Sequence, residues 1–172
     1  TLVKNDKRII PLDKSKFKTI FAITITEGLG NESEAFFHSL IQEKLPDSMI
    51  AIIHEQTNDD HYEKISKALL NVDLILLSSF IRVKAYQGTI SLSEKHKAFI
   101  QRMIDSKIPT VLISFGNPYL LSLFPKVDTY LCAFGDTRVS QKAMLKALLG
   151  KKEITGKLPT SIPKTKYKIG DG

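Results

Sequence analysis

From about residue 17 onward, short β-rich runs alternate with amphipathic helical patterns, and this alternation leaves the chain few architectures to choose from. It is the mark of βαβ units that carry a parallel sheet. The β-rich runs lie at 19–26, 49–55, 73–79, 110–115 and 129–134, and several are almost continuously apolar, as expected for strands buried on both faces. Helical patterns fall between and after them at 33–45, 60–71, 91–106, 118–124 and 138–149. The third is the clearest, with Leu92, Phe99, Ile100, Met103 and Ile104 on one face at 3.6-residue spacing. Ser91 with Glu94, and Asn31 with Glu34, have the spacing of capping boxes, and Gly150 stands where a helix needs a left-handed stop. Right-handed crossovers then put helices on both faces of the sheet. The expected fold is α/β: a three-layer αβα sandwich with a mostly parallel, flavodoxin-like sheet of about five strands in the order 2-1-3-4-5.

The 172 residues suit one domain, and 42% hydrophobic with 25% charged residues suits a globular one. No apolar run approaches the ~18 residues of a spanning helix; the run at 72–80 is strand-sized and interrupted by Asp73. The net charge of +7 would ordinarily raise nucleic acid as a partner, but its distribution argues otherwise. Residues 1–18 carry six Lys/Arg against two Asp, and residues 151–172 carry six Lys against two acids, so the body between them is close to neutral. A nucleic-acid surface concentrates its cations on a groove or helix, interleaved with aromatics. The expected division is therefore an entry linker at 1–16, the sandwich at 17–150, and an exit segment at 151–172 that packs on the sandwich or leaves it. Because the first residue is Thr1 and the opening stretch is charged, the chain reads as a piece of a longer protein with any targeting signal outside it. Cys132 is the single cysteine, so it has no internal disulfide partner, and its mid-strand place suits an inert thiol.

In an open α/β sheet, ligands bind beyond the carboxyl ends of the strands, so any chemistry is expected in those loops. The first, Glu27-Gly28-Leu29-Gly30-Asn31, lacks the third glycine of a dinucleotide fingerprint, because Ser33 stands in its place. A tight turn with a helix cap explains it. The loop after the third strand is longer and carries Arg82, Lys84, Tyr86 and Gln87 beside the expected switch point. Its cations suit an anion or a partner's carboxylates, while Tyr86 and Gln87 suit a sugar or a neighbouring domain. The alternative is an exposed loop with solvated cations. After the fourth strand, Gly116-Asn117-Pro118 reads as helix initiation, and Asp136 or Thr137 caps the last helix. Asp59 and Asp60 suit a helix start, and His38, His54, His61 and His96 are too scattered for a shared metal. Neither a serine-nucleophile elbow nor a zinc-binding His-Glu-x-x-His occurs. No metal, cofactor or catalytic set is expected from these residues.

Three stretches resemble the C-terminal α/β sandwich domain of glycoside hydrolase family 3, in particular its β-N-acetylglucosaminidase (β-hexosaminidase) branch. These are Thr1-Leu2-Val3-Lys4-Asn5 through Ile10-Pro11-Leu12, then Ile113 through Leu121, and last Gln141 and Ala143 to Leu149 followed by Ile154-Thr155-Gly156-Lys157-Leu158-Pro159. The resemblance implies an upstream (β/α)8 barrel as partner in the same chain, bearing an aspartate nucleophile, with carbohydrate as the parent's substrate. It also implies export to a periplasm or cell surface. Many β-glucosidase members take an acid/base Glu from a loop that would align with 80–89; no Glu occurs there, which favours the branch that uses a His/Asp pair on the barrel. This domain is then non-catalytic, with Arg82, Lys84, Tyr86, Gln87 and Asn117 as candidates for substrate or interdomain contact. The competing readings are a free-standing flavodoxin-like module for phosphate or flavin, with Thr24 and Thr26 in its first loop, and a protein-interaction domain.

Overall fold

The computed structural model describes residues 1–28, 32–81 and 92–172. In chain order the elements are β1 (Leu2–Asn5), β2 (Ile20–Thr26), α1 (Glu32–Lys44), β3 (Met49–Ile53), α2 (Asp59–Ala68), β4 (Leu74–Phe80), α3 (Glu94–Asp105), β5 (Thr110–Ser114), α4 (Leu120–Leu123), β6 (Thr129–Cys132) and α5 (Arg138–Leu148), with a 3₁₀ turn at Leu69–Asn71. The sheet order is β1-β6-β5-β4-β2-β3. Counting only the five mutually parallel strands, this is the 2-1-3-4-5 order expected for a flavodoxin-like sheet. The sixth strand is β1, which pairs antiparallel with β6 from within the stretch read as an entry linker.

β2 and β4 are interior strands, and all seven residues of each are buried, which is why they read as mostly apolar runs, interrupted by Thr24, Thr26, Ser78 and Ser79. Two acids immediately preceding strands set the amino edge. Asp73 Oδ2 accepts from the amides of Lys18 and Thr19 at 3.0 and 2.9 Å, and Asp128 Oδ2 accepts from the Thr110 amide at 3.0 Å. Each holds the start of the neighbouring strand.

The two faces of the sheet carry separate cores. On one, Ala22, Leu74, Leu76, Val111 and Ile113 meet Phe37 and Ile41 of α1 and Met144, Leu145 and Leu148 of α5. On the other, Ile23, Ile25, Ile75, Leu77 and Leu112 meet Tyr62 and Ile65 of α2, Phe99, Ile100 and Met103 of α3, and Leu120 and Leu121 of α4. The flanking segments complete both layers: Ile9, Ile10, Leu12 and Phe17 join the first core, Leu158 and Ile162 the second.

The capping sites differ in part from expectation. Helix α3 begins at Glu94, with Ser93 accepting from the His96 amide at 3.2 Å, so Ser93 is its cap; Ser91 lies outside the described residues, as does Asn31. Thr137 caps α5 by accepting from the Ser140 amide at 3.2 Å. Asn117 turns out not to cap a helix: its Oδ1 accepts from the Tyr119 amide two residues on, an Asx turn, and α4 starts later at Leu120. Gly150 ends α5 at φ +67°, where a Cβ would also lie 2.8 Å from Pro11 Cβ.

Candidate functional site

The carboxyl edge of the sheet is built from the ends of β2, β4, β5 and β6 and the turns that leave them. At β2, two hydroxyls at buried strand positions are turned toward α1. Thr24 Oγ1 and His38 Nε2 share a hydrogen bond at 2.7 Å, and Thr26 Oγ1 donates to Glu34 Oε1 at 2.7 Å. Glu34 and His38 are one helical turn apart, so two strand positions on one face meet two helix positions on one face. Burial holds the His38 imidazole below its ordinary pKa, with the Glu34 carboxylate opposing that shift. Thr24 and Thr26 are thus occupied within the fold and do not form the phosphate-facing hydroxyl loop that a flavin-binding module would want.

Among the described residues, four polar atoms at or near this edge are buried without a hydrogen-bond partner: Glu27 Oε1 in the turn after β2, Ser78 Oγ on β4, Asn117 Nδ2 after β5, and Gln141 Oε1 on α5. Ser78 stands in register with Thr24 and Ile113. An orphaned buried donor or acceptor costs about 1–3 kcal/mol, so these are the positions at which the edge is least well satisfied. Asn117 is the best defined. Its carbonyl accepts from Ser114 Oγ at 2.6 Å and from Tyr130 Oη at 3.1 Å, its Oδ1 holds the Tyr119 amide, and only the side-chain NH₂ lacks a partner. Tyr130 is fully buried, and its hydroxyl, pushed well above the ordinary tyrosine pKa by that burial, acts as a hydrogen-bond donor.

At β6 the turn into α5 is clamped to α1. Gln141 Nε2 donates to Ser33 Oγ at 2.7 Å and to the Asp136 carbonyl at 2.8 Å, and Ser33 Oγ donates to that same carbonyl at 2.8 Å. Outside this clamp, Arg138 and Lys142 lie over the Phe36 ring at 5.0 and 5.7 Å. Phe134, at φ +54°, and Val139 are exposed apolar residues of the same turn, Val139 at 77%.

Of the sequence candidates, Asn117 is placed at this edge, whereas Arg82, Lys84, Tyr86 and Gln87 lie outside the described residues. The Thr24–His38 and Thr26–Glu34 pairs escaped sequence reading; their signal was two threonines inside an apolar strand and an i,i+4 acid and histidine on a buried helix face. Asp59 and Asp60 sit in the first turn of α2 and pair with Lys95 and Lys64, each at 2.8 Å. The Cys132 thiol is buried and pushed up to about 11 by desolvation. Among the described residues no three His, Cys, Asp or Glu side chains converge as a metal site, and no helix is long and apolar enough to cross a membrane. The chemistry available at the edge is hydrogen bonding and apolar contact, which suits docking.

The family model described as the glycosyl hydrolase family 3 C-terminal domain matches residues 1–171. A beta-N-acetylglucosaminidase/beta-glucosidase from Cellulomonas fimi is 24% identical over 168 residues, which is 92% of this chain and 29% of that protein. Among solved structures, a glycoside hydrolase family 3 beta-N-acetylglucosaminidase from Paenibacillus sp. str. FPU-7 superposes with a TM-score of 0.71 at 18% identity, over 96% of this chain and 31% of its own. Beta-glucoside phosphorylase BglX superposes with a TM-score of 0.65 at 23% identity, over 92% and 29%. The chain therefore spans less than a third of each of these relatives, and at such identities the structural likeness speaks for the fold.

Proposed function

The chain belongs to the C-terminal domain family of glycosyl hydrolase family 3, and from that membership we propose that it is the non-catalytic sandwich domain of a longer exo-acting enzyme whose upstream barrel hydrolyses terminal N-acetyl-β-glucosaminides. The match over the whole chain carries this reading, and the placement of β1 supports it. Because β1 runs antiparallel to β6, its amino end lies at the carboxyl edge of the five parallel strands. A domain joined at Thr1 therefore starts beside the edge that holds the unpartnered atoms of Glu27, Ser78 and Asn117. The absence of any Asp or Glu from 80–89 supports the branch in which both the nucleophile and the acid/base come from the barrel. A retaining mechanism through a covalent glycosyl-enzyme then belongs to that barrel.

In this arrangement the Asn117 NH₂ is a candidate donor to a barrel carbonyl or a substrate hydroxyl, and Arg82, Lys84, Tyr86 and Gln87, from their sequence alone, are candidates for the same kind of contact. The test is an assay of the 172-residue chain and of the parent protein on a chromogenic N-acetyl-β-glucosaminide. The expected result is turnover by the parent alone, with Asn117→Ala lowering its kcat/KM by roughly tenfold, the loss of about one hydrogen bond. Turnover by the isolated chain, or a parent inert on β-glycosides, overturns the proposal.

A further inference from the structure

A cleft of about 400 Å³ opens between α5 and the exit segment, lined by Ala133, Phe134, Ala143, Met144, Ala147 and Ile154, with Thr1 in its wall. We propose that this cleft seats the stretch of polypeptide immediately preceding Thr1 in the parent protein, as a continuation of β1. The proposal rests on the reading above, in which a barrel domain joins the chain at Thr1.

Four observations carry it. First, Thr1 is in antiparallel register with Cys132: its nitrogen donates to the Cys132 carbonyl at 2.9 Å, and its carbonyl accepts from the Cys132 amide at 3.0 Å. The residue before Thr1 then comes beside Ala133, next to which Phe134 turns away at positive φ, and both residues line the cleft. Second, β1 already lies in a slot. β6 borders it on one side and the exit segment on the other, where Thr1 Oγ1 donates to the Lys157 carbonyl at 3.3 Å and a Cβ on Gly156 would come within 3.1 Å of Thr1 Oγ1. The cleft extends that slot past Thr1. Third, its α5 side is apolar, while Lys152, Glu153 and Lys157 line the exit-segment side: Phe134 is held partly exposed at positive φ, and Ala143 and Ala147 present a small-residue floor on which a backbone can lie close to α5. Fourth, burial keeps the Thr1 amino group below its ordinary pKa, so the site suits a neutral peptide amide better than an ammonium.

The test is hydrogen exchange by mass spectrometry on the parent protein, with Ala143→Trp and Ala147→Trp as cleft-filling variants. In the wild type, the amides just before Thr1 are expected to exchange at least about tenfold more slowly than in an unstructured peptide, and both tryptophans should abolish that protection. Protection of β2 and β4 in the same experiment reports whether a variant remains folded. Should a tryptophan unfold the domain, a cysteine placed just before Thr1 paired with Ala143→Cys should form a disulfide under mild oxidation. Exchange at the unstructured rate in the wild type, or protection that survives both tryptophans, or failure of the cysteine pair to cross-link, overturns the proposal. So does a variant that changes oligomeric state in place of local protection, since the cleft then joins two copies. Glycosidase activity reads separately: an inactive parent with a protected segment overturns the proposed function and leaves this inference standing.

Discussion

His38 and His96 are buried histidines whose protonation burial opposes. His38 is tied to Thr24, while His96 lies against the β3–α2 turn with its Nε2 buried and unpartnered. Desolvation lowers both imidazoles; Glu34 opposes it at His38, and at His96 the His54 backbone and Glu55 oppose it while His54 and Lys95 reinforce it. The folded state thus keeps both rings neutral at pH values where the unfolded chain, titrating near about 6.5, already binds protons. Stability is then fully present above that value and falls as the pH drops through it toward the depressed folded values. Urea midpoints taken at intervals from pH 7.5 to 5.5 should decline, and the His38→Gln, His96→Gln double variant should flatten the decline. An unchanged slope in the double variant would rule the two histidines out as its source. The sequence offers neither residue a metal partner, but it does not show their burial, which comes from packing against segments such as β2, whose Thr24 bonds His38 from 14 residues away.

At the scale of elements, the helices and parallel strands were legible because each depends on periodicity within one short window. The caps were only partly so, since any Ser, Thr, Asn or Asp near a helix start competes for the role. For α3 the Ser91 and Glu94 spacing points to Ser91, yet Ser93 holds the His96 amide. Replacing Ser93 or Thr137 by Ala is expected to cost about 1 kcal/mol each, and Ser93→Asp should recover most of it. Denaturant midpoints with an unchanged m-value would check this; a neutral Ser93→Ala would show that the cap contributes nothing. β1 was not read as a strand because its four residues show little alternation and its partner, β6, lies more than 120 residues away.

Across the whole molecule the two flanks act as clasps. The entry segment packs on the α1/α5 face, tied by Asn5 to the backbone of Ile9 and Ile10, while the exit segment inserts Leu158 and Ile162 into the opposite core, each at most 1% exposed. Leu158→Ala and Ile162→Ala should therefore each cost about 2–5 kcal/mol in urea unfolding, as core truncations do, and a loss below about 1 kcal/mol would mean the exit segment is peripheral. Lys4 of the entry segment and Lys166 of the exit segment border one groove beside β1. Local patterning sufficed for the α/β class, the parallel order and the neutral body with basic ends, because period, turn chemistry and crossover handedness act over short stretches of chain. The sixth strand, the buried Thr–His and Thr–Glu pairs, the unpartnered atoms at the carboxyl edge and the cleft beside Thr1 required the folded chain, because each arises where segments far apart in sequence are brought within hydrogen-bonding or packing distance.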